Sequence, residues 1–408
     1  MRRGRDKNSK TVRSWLFEQR NRVGGYGLLL FLFALPLLGM AEELKVGAAC
    51  FEKYEKLLQG KRVALVCNHT SRVGERMLYD TLRERGVKLV RLFTPEHGLE
   101  GIADAGERVR SSKSRKDFPE IVSLYDHNKR LPLDKLKGID IVLFDLQDVG
   151  VRCYTYISTM HYVMEACAQS NVPFVVLDRP NPNGYFVDGT VLELKYKSFV
   201  GMHPVPWVHG LTVGEYARMI VGEEWLGESL KLQLTVIPCE GYTHRTRYAP
   251  PVAPSPNLPN LLSILLYPSL AFFEGTTQSV GRGTDFPFQV VGSPKNRGKD
   301  FVFIPESRMG AKKPPFMGDT CYGINLTHEG LDSFYTNPKI RLNYLIEMRK
   351  RCTGRYFIKF FDQLAGTSAL RIALEQGKTE CEIRESWQSA LVHFKKVRKK
   401  YLLYEDFE

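Results

Sequence analysis

The sequence predicts an α/β fold organised on a parallel sheet. Three observations carry that reading. Apolar runs of strand length alternate with helical segments, the pattern of a parallel sheet covered on both faces. The runs are almost continuously apolar, as strands buried on both faces are. Three of them also stop abruptly in charged or amide residues. Lys88 to Phe93 runs into Thr94-Pro95-Glu96-His97-Gly98. Ile139 to Phe144 runs into Asp145-Leu146-Gln147-Asp148-Val149-Gly150. Val172 to Leu177 runs into Asp178-Arg179-Pro180-Asn181-Pro182-Asn183-Gly184. In open α/β sheets ligands bind outside the carboxyl ends of the strands, so these tips are where chemistry is expected.

The elements follow in order. Lys61 to Cys67 reads as a buried strand ending in Asn68-His69-Thr70, and Met77 to Arg85 as a helix. After the strand Lys88 to Phe93, residues 99–118 form a long polar loop, a length that often carries function. Ile121 to Tyr125 and Ile139 to Phe144 are strands. Ile157 to Gln169 is helical, with Ser158 or Thr159 as its cap. After the strand Val172 to Leu177 the texture changes near residue 200, into the Pro-punctuated segment Gly201 to Gly210. Thr212 and Glu215 have the spacing of a capping box at a helix start. Leu232 to Pro238 is again a strand. Pro250 to Pro259 holds five prolines; it suits neither helix nor central strand and makes a rigid wall or linker. A Gly-rich polar loop spans Phe272 to Asp285, and Leu342 to Tyr404 is mostly helical. The 408 residues suit two domains, expected at 42–200 and 201–408.

Residues 1–22 are strongly basic and precede the apolar run Gly27 to Met40, with small residues before Glu42. The run is shorter than the roughly 20 residues a membrane-spanning helix needs. It reads as a secretory signal, or alternatively an uncleaved anchor, over residues 1–41. The expected location is therefore periplasmic or secreted, with membrane contact only through that segment. The net charge of +13 owes much to this leader. No zinc-finger spacing or RNA-recognition signature accompanies it, so nucleic acid is not an expected partner. Eight cysteines permit disulfides, but their spacing is wide and no C-x-x-C exists. Cys67 and Cys153 read as small buried hydrophobes.

The candidate chemistry sits at the strand tips. Glu96 with His97 reads as an acid or base and its helper, partial burial suiting a carboxyl to general-acid work. Asp145 and Asp148 form a second carboxylate pair, with turn-capping an equal reading for Asp145. Asp178 and Arg179 read mainly as a mutual ion pair. Arg152 and Arg282 are suited to gripping a carboxylate or phosphate, and the glycines flanking Arg282 suit close approach to a ligand. Gly281-Arg282-Gly283 is too little for a nucleotide fingerprint. Tyr154 and Tyr156 suit a sugar-stacking face or, by default, the core. No G-x-S-x-G elbow or H-E-x-x-H motif is present, and no cofactor or metal is signalled.

Taken together, these segments resemble the NamZ-type exo-β-N-acetylmuramidases, glycoside hydrolase family 171, once known only as a domain of unknown function. The resemblance rests on Cys67 to Thr70, Thr94 to Gly98, Phe144 to Met160, Val176 to Pro182, Pro254 to Asn257, Glu274 to Thr284, and Trp387 with Tyr401 to Tyr404. It implies a Rossmann-like domain without nucleotide, a second C-terminal α/β domain, and an active cleft between them. It also implies exo-hydrolysis of N-acetylmuramic acid from peptidoglycan-derived saccharides, with Glu96 as leading catalyst. Asn68, His69, Asn257 and Glu274 join the substrate-binding candidates Arg152, Tyr154, Tyr156, Asp178, Arg179 and Arg282. Asn183 and Cys153 depart from the usual family pattern without removing a charged candidate. Such chemistry pairs an acid with a second carboxylate, here Asp145, Asp148 or Glu274. The sugar's lactyl carboxylate calls for a cation, here Arg152 or Arg282. The competing readings are a metal-dependent hydrolase using His69, His97, Asp104 and Asp145, and a non-catalytic cell-wall binding protein.

Overall fold

The computed structural model of the chain describes residues 43–104, 106–107, 111, 118–125, 129–298 and 300–408. The signal or anchor expected at 1–41 lies outside the described residues. No helix among the described residues is long and apolar enough to cross a membrane.

A short helix, α1 (Glu55–Leu58), precedes β1 (Arg62–Cys67). A hairpin of β2 (Arg72–Val73) and β3 (Arg76–Met77) leads into α2 (Leu78–Glu84). Then follow β4 (Lys88–Thr94), β5 (Glu120–Ser123), β6 (Ile141–Asp145), α3 (Tyr156–Gln169) and β7 (Phe174–Leu177). The hairpin β8 (Asp188–Val191) and β9 (Pro206–Val208), helix α4 (Val213–Gly222) and strand β10 (Leu234–Ile237) come next. Six of these strands form the expected parallel sheet, in the order β10-β7-β6-β1-β4-β5. The sheet thus takes a strand from beyond residue 200, and residues 43–408 pack as one compact unit.

The apolar strands supply two cores because successive side chains alternate in face. Ala64, Val66, Val142, Phe144, Phe174 and Val176 point into the larger core, under α3, α4 and the C-terminal helices. Val63, Leu65, Ile141, Leu143, Val175 and Leu177 point the other way, against Phe51, Tyr54, Leu78 and Leu82. Cys67 and Cys153 are buried as expected, and all eight cysteines are free.

The caps show how far local pattern reaches. Thr212 accepts from the Glu215 amide while Glu215 accepts from the Thr212 amide, the expected capping box. Helix α3 starts earlier than expected. Thr155 is its N-cap, and Thr159 already donates its amide to Thr155 O at 2.9 Å, so Ser158 and Thr159 lie inside the first turns.

Beyond the Pro-dense block come α5 (Leu261–Leu270) and an antiparallel sheet of β11 (Val290–Ser293), β12 (Val302–Phe303) and β13 (Cys321–Asn325). Helices α6 (Asp332–Thr336), α7 (Leu342–Arg351), α8 (Phe360–Ala365), α9 (Ala369–Glu375), α10 (Glu380–Glu385) and α11 (Gln388–Arg398) complete the chain. The chain beyond α5 folds back on the β8–β9 hairpin and the segment after it: Trp207 stacks on Phe272 at 4.0 Å, and fully buried Arg398 donates to Gly210 O.

Candidate active site

Strand β4 ends at a turn that projects Glu96. The Gly98 amide closes on Pro95 O at 3.1 Å, with His97 and Gly98 both left-handed, φ 70° and 74°. That conformation costs a non-glycine residue about 1–3 kcal/mol and recurs at functional sites. The His97 ring is tethered by Nδ1 to Ala103 O at 2.6 Å. A carbonyl only accepts, so Nδ1 carries the proton of that bond and Nε2 is the ring nitrogen left over. Glu96 Oε1 accepts from the Gly106 amide at 2.8 Å, and Oε2 from the Thr155 hydroxyl at 2.9 Å. The described part of the 99–118 loop and the cap of α3 therefore hold the carboxylate between them.

Glu96 and His97 open onto a cleft of about 160 Å³, below the roughly 300–1,000 Å³ of drug-sized ligand sites. One side is formed by Tyr125, Lys129 and Phe199, the floor by Cys153 to Tyr156. Tyr125 lies beside Glu96; burial first, and then that carboxylate, push its phenol up. The Tyr154 and Tyr156 rings meet edge to face at 4.8 Å. Burial likewise raises both phenols and pushes the Cys153 thiol up to about 12, leaving it a poor nucleophile.

The Pro-dense block forms the roof, in line with the rigid wall expected of it. Tyr154 donates to Pro254 O at 2.8 Å, and the His69 Nε2 lies 2.8 Å from Ala253 O. Asn68 donates to the Tyr156 hydroxyl at 2.8 Å. Ser255 and Leu258 face the cleft, while Asn257 is turned away and donates to Gly310 O. On the far side Glu274 and Arg282 pair, with Arg282 Nε and Nη2 at 3.0 and 2.8 Å from Glu274 Oε1. Arg282 also lies over the Phe288 ring at 5.0 Å. Burial opposes its charge, and the Glu274 carboxylate outweighs that, so its pKa is raised.

Several expected site residues are fasteners instead. Asp145 is fully buried and takes Arg179 bidentately, at 2.5 and 2.9 Å, while Arg179 also donates to Arg72 O. The pair ties the tips of β6 and β7 to the β2 hairpin, away from the cleft. Asp178 accepts from Thr212, Gly214 and Tyr404 at 2.6–2.8 Å, sealed by the chain's last residues. Asp148 is buried outside the cleft; one oxygen accepts from the Gly150 amide at 2.6 Å and the other has no partner. Desolvation pushes its carboxyl up to about 7.

Arg152 does not reach the cleft either. Its guanidinium donates to Thr190 O, Val205 O and Ala365 O at 2.6–2.8 Å, clipping the β8–β9 hairpin to the end of α8. That removes it as the carboxylate grip. The glycines flanking Arg282 also serve packing. A Cβ on Gly281 would meet Phe286 O at 2.7 Å, and one on Gly283 would meet Glu306 O at 2.5 Å. They admit neighbouring backbone, not a ligand. The four residues of the metal reading do not converge: Asp104 accepts from the Lys312 amide at 2.6 Å, and His69, His97 and Asp145 are committed as described above. Among the described residues the one group with metal-ligand spacing is Cys50, Glu52 and Glu240, where Glu240 already pairs with Lys45 and Lys53.

The structure adds Tyr125, Lys129, Thr155 and Phe199 to the site. Tyr125 carried a signal, since it ends a predicted strand. Lys129 and Phe199 carried none, because only the fold brings residues so separated onto one wall.

Models of the exo-β-N-acetylmuramidase NamZ N-terminal and C-terminal domains match residues 63–262 and 265–404. The cleft draws on both segments. The peptidoglycan β-N-acetylmuramidase NamZ of Bacillus subtilis (strain 168) is 37% identical over 377 residues, covering 86% of this chain and 89% of that protein. Two crystal structures of DUF1343 family proteins from Bacteroides fragilis NCTC 9343 share the fold. One has TM-score 0.82 and 43% identity, the other 0.75 and 27%; each covers 89% of this chain and 99% of its own. With both domain models matched in order across nearly all of residues 43–408, the chain belongs to the NamZ exo-β-N-acetylmuramidase family.

Proposed function

We propose that this chain is an exo-acting glycoside hydrolase that releases N-acetylmuramic acid from the non-reducing end of peptidoglycan fragments. The observation that carries the reading is the pairing of two carboxylates, Glu96 and Glu274, in one cleft walled by aromatic rings. Glycoside hydrolysis needs an acid for the leaving oxygen and a second carboxylate for water or the anomeric carbon. Glu96, held by a backbone amide and a hydroxyl, serves as the acid. Glu274, held by Arg282, is the partner, in place of Asp145 and Asp148. His97 lines the cleft beside Glu96 and orients the substrate or its water. A substrate found outside the cytoplasm agrees with export through residues 1–41, which we propose as the route. Fractionation of tagged full-length chain tests that route, and a cytoplasmic pool alone would refute it.

The activity test uses a chromogenic β-glycoside of N-acetylmuramic acid. Wild-type chain should release the chromophore, and Glu96→Gln should lower kcat by about 10²–10⁴-fold, the usual contribution of a general acid or base. Full activity in that variant would overturn the assignment of Glu96. Tight binding without turnover by the wild type would favour the cell-wall binding reading.

A further inference from the structure

We infer that Lys129 is the cation that receives the lactyl carboxylate of N-acetylmuramic acid, and that it sets the preference of this cleft for the acidic sugar over its neutral relatives. The inference rests on the function proposed above and identifies the part of the cleft that reads the substrate's charge.

The argument begins with charge. Among the described residues four ionisable side chains line the cleft besides His97: Glu96, Glu274, Arg282 and Lys129. Arg282 is spent on Glu274, which it holds through two donors. Arg152, the other cation expected here, is buried on backbone carbonyls outside the cleft. Lys129 has no carboxylate partner among the described residues. Among the described residues, a carboxylate entering this cleft therefore finds Lys129 as the cation without a carboxylate partner.

Position agrees with charge. Lys129 Nζ lies 4.7 Å from the Tyr125 ring centroid and 4.4 Å from that of Phe199, and these two rings lie 6.0 Å apart. Two aromatic faces localise the ammonium and leave its N–H donors for a ligand, since ring faces attract a cation without accepting a directed hydrogen bond as a carboxylate does. The same Tyr125 ring that carries this ammonium over it has its phenol beside the Glu96 carboxyl. One tyrosine thus has at hand a carboxyl for the scissile bond at C1 and a cation for the carboxylate that hangs from the oxygen on C3. Lysine suits the task as a compact point charge on a flexible stem. The Tyr125 and Phe199 rings also give the lactyl methyl an apolar surface.

The test compares two chromogenic substrates on the full chain: the N-acetylmuramic acid glycoside and the same glycoside with its lactyl carboxylate converted to the primary amide. Wild type should prefer the acid. Lys129→Met, which keeps the apolar stem, should lower kcat/KM for the acid by roughly 10–100-fold, the usual worth of a hydrogen bond to a charged group. Most of that loss should appear in KM, and it should exceed the loss on the amide at least tenfold. Lys129→Arg should restore most of the preference. Equal losses on acid and amide would overturn the inference, as would a wild type indifferent to the carboxylate, a result that does not depend on any variant folding. Preference abolished by Arg282→Met and kept by Lys129→Met would overturn it too. Failure of the function itself looks different, because the wild type would then turn over neither substrate.

Discussion

Replacing Asp148 by Asn should remove a pH-dependent weakness built into the fold. Asp148 is 4% exposed, and one carboxyl oxygen has no partner. An ordinary aspartate ionises near 3.8 and this one near about 7, chiefly through desolvation. At about 1.4 kcal/mol per tenfold change, the anion is about 4 kcal/mol more costly in the folded chain than in the unfolded one. Between those two pH values the unfolded chain has released the proton and the folded chain still holds it. The folded state thus binds more protons, and stability falls as pH rises. From pH 5 to pH 8 this single group should cost the wild type about 2–3 kcal/mol. Asn cannot ionise, yet it keeps an oxygen for the Gly150 amide. The assay is urea unfolding of both proteins at pH 5, 6, 7 and 8. The variant's advantage should widen by that amount across the series. Asp178, pushed up to about 6, and the buried His161 and His209, pushed down by burial to about 4 and about 3, titrate in both proteins and cancel in the difference. A gap that stays constant with pH, or narrows, would refute the reasoning.

Two further outcomes follow from where the expected site residues lie. Arg152→Met should destabilise the fold by about 3–5 kcal/mol, because it strips donors from buried carbonyls of the β8–β9 hairpin and α8. The denaturant midpoint reads this, and an unchanged midpoint would contradict the clip. Chelation should leave turnover of the chromogenic glycoside unchanged within twofold, since the side chains of the metal reading are committed to backbone groups and to Arg179. A metal-restorable loss of rate would reinstate that reading.

Much of the fold was legible in local pattern. Strand identity came from continuous apolar runs, and each of the runs Lys61 to Cys67, Lys88 to Phe93, Ile139 to Phe144 and Val172 to Leu177 became a sheet strand within a residue or two. The Thr212 box was legible because both partners lie three residues apart. The cap of α3 was not, because Thr155, Ser158 and Thr159 all offer the same hydroxyl chemistry and only the turn at Cys153-Tyr154 decides among them. The site was half legible. Glu96, His97, Tyr154, Tyr156, Glu274 and Arg282 do meet in one cleft. Asn68, His69, Asp145, Asp148, Arg152, Asp178, Arg179 and Asn257 do not line it; a structural reading was open for Asp145, Asp178 and Arg179 from the start, though Arg179 pairs with Asp145 rather than with Asp178. An arginine that grips a ligand and one that clips three carbonyls look the same until burial is known.

The division between these sets has a structural cause. A parallel sheet leaves polar groups at every strand tip, and each tip is either covered or open. Strands β6 and β7 lie on the side of β1 where β10, the last strand added, extends the sheet. The chain that follows folds over that side, so Tyr404 reaches Asp178, while at the tips themselves Arg179 closes on Asp145. Those tips became sealed joints. Strands β4 and β5 lie on the other side, at the sheet edge. Their tips carry Glu96, His97 and Tyr125, held by the loop after β4 and the cap of α3 and faced across the cleft by the Pro-dense roof and the Glu274–Arg282 pair. The order reverses between β1 and β6, so the usual expectation for open α/β sheets places the ligand there. In this chain Asn68, at the β1 tip, is 0% exposed and bonded to Tyr156 and Thr70, so that position is occupied by protein. The cleft lies one strand outward, at the β4 tip. Its wall is therefore built from the edge side of the sheet, which is why Lys129 and Phe199, from segments with no strand-tip signature, complete it.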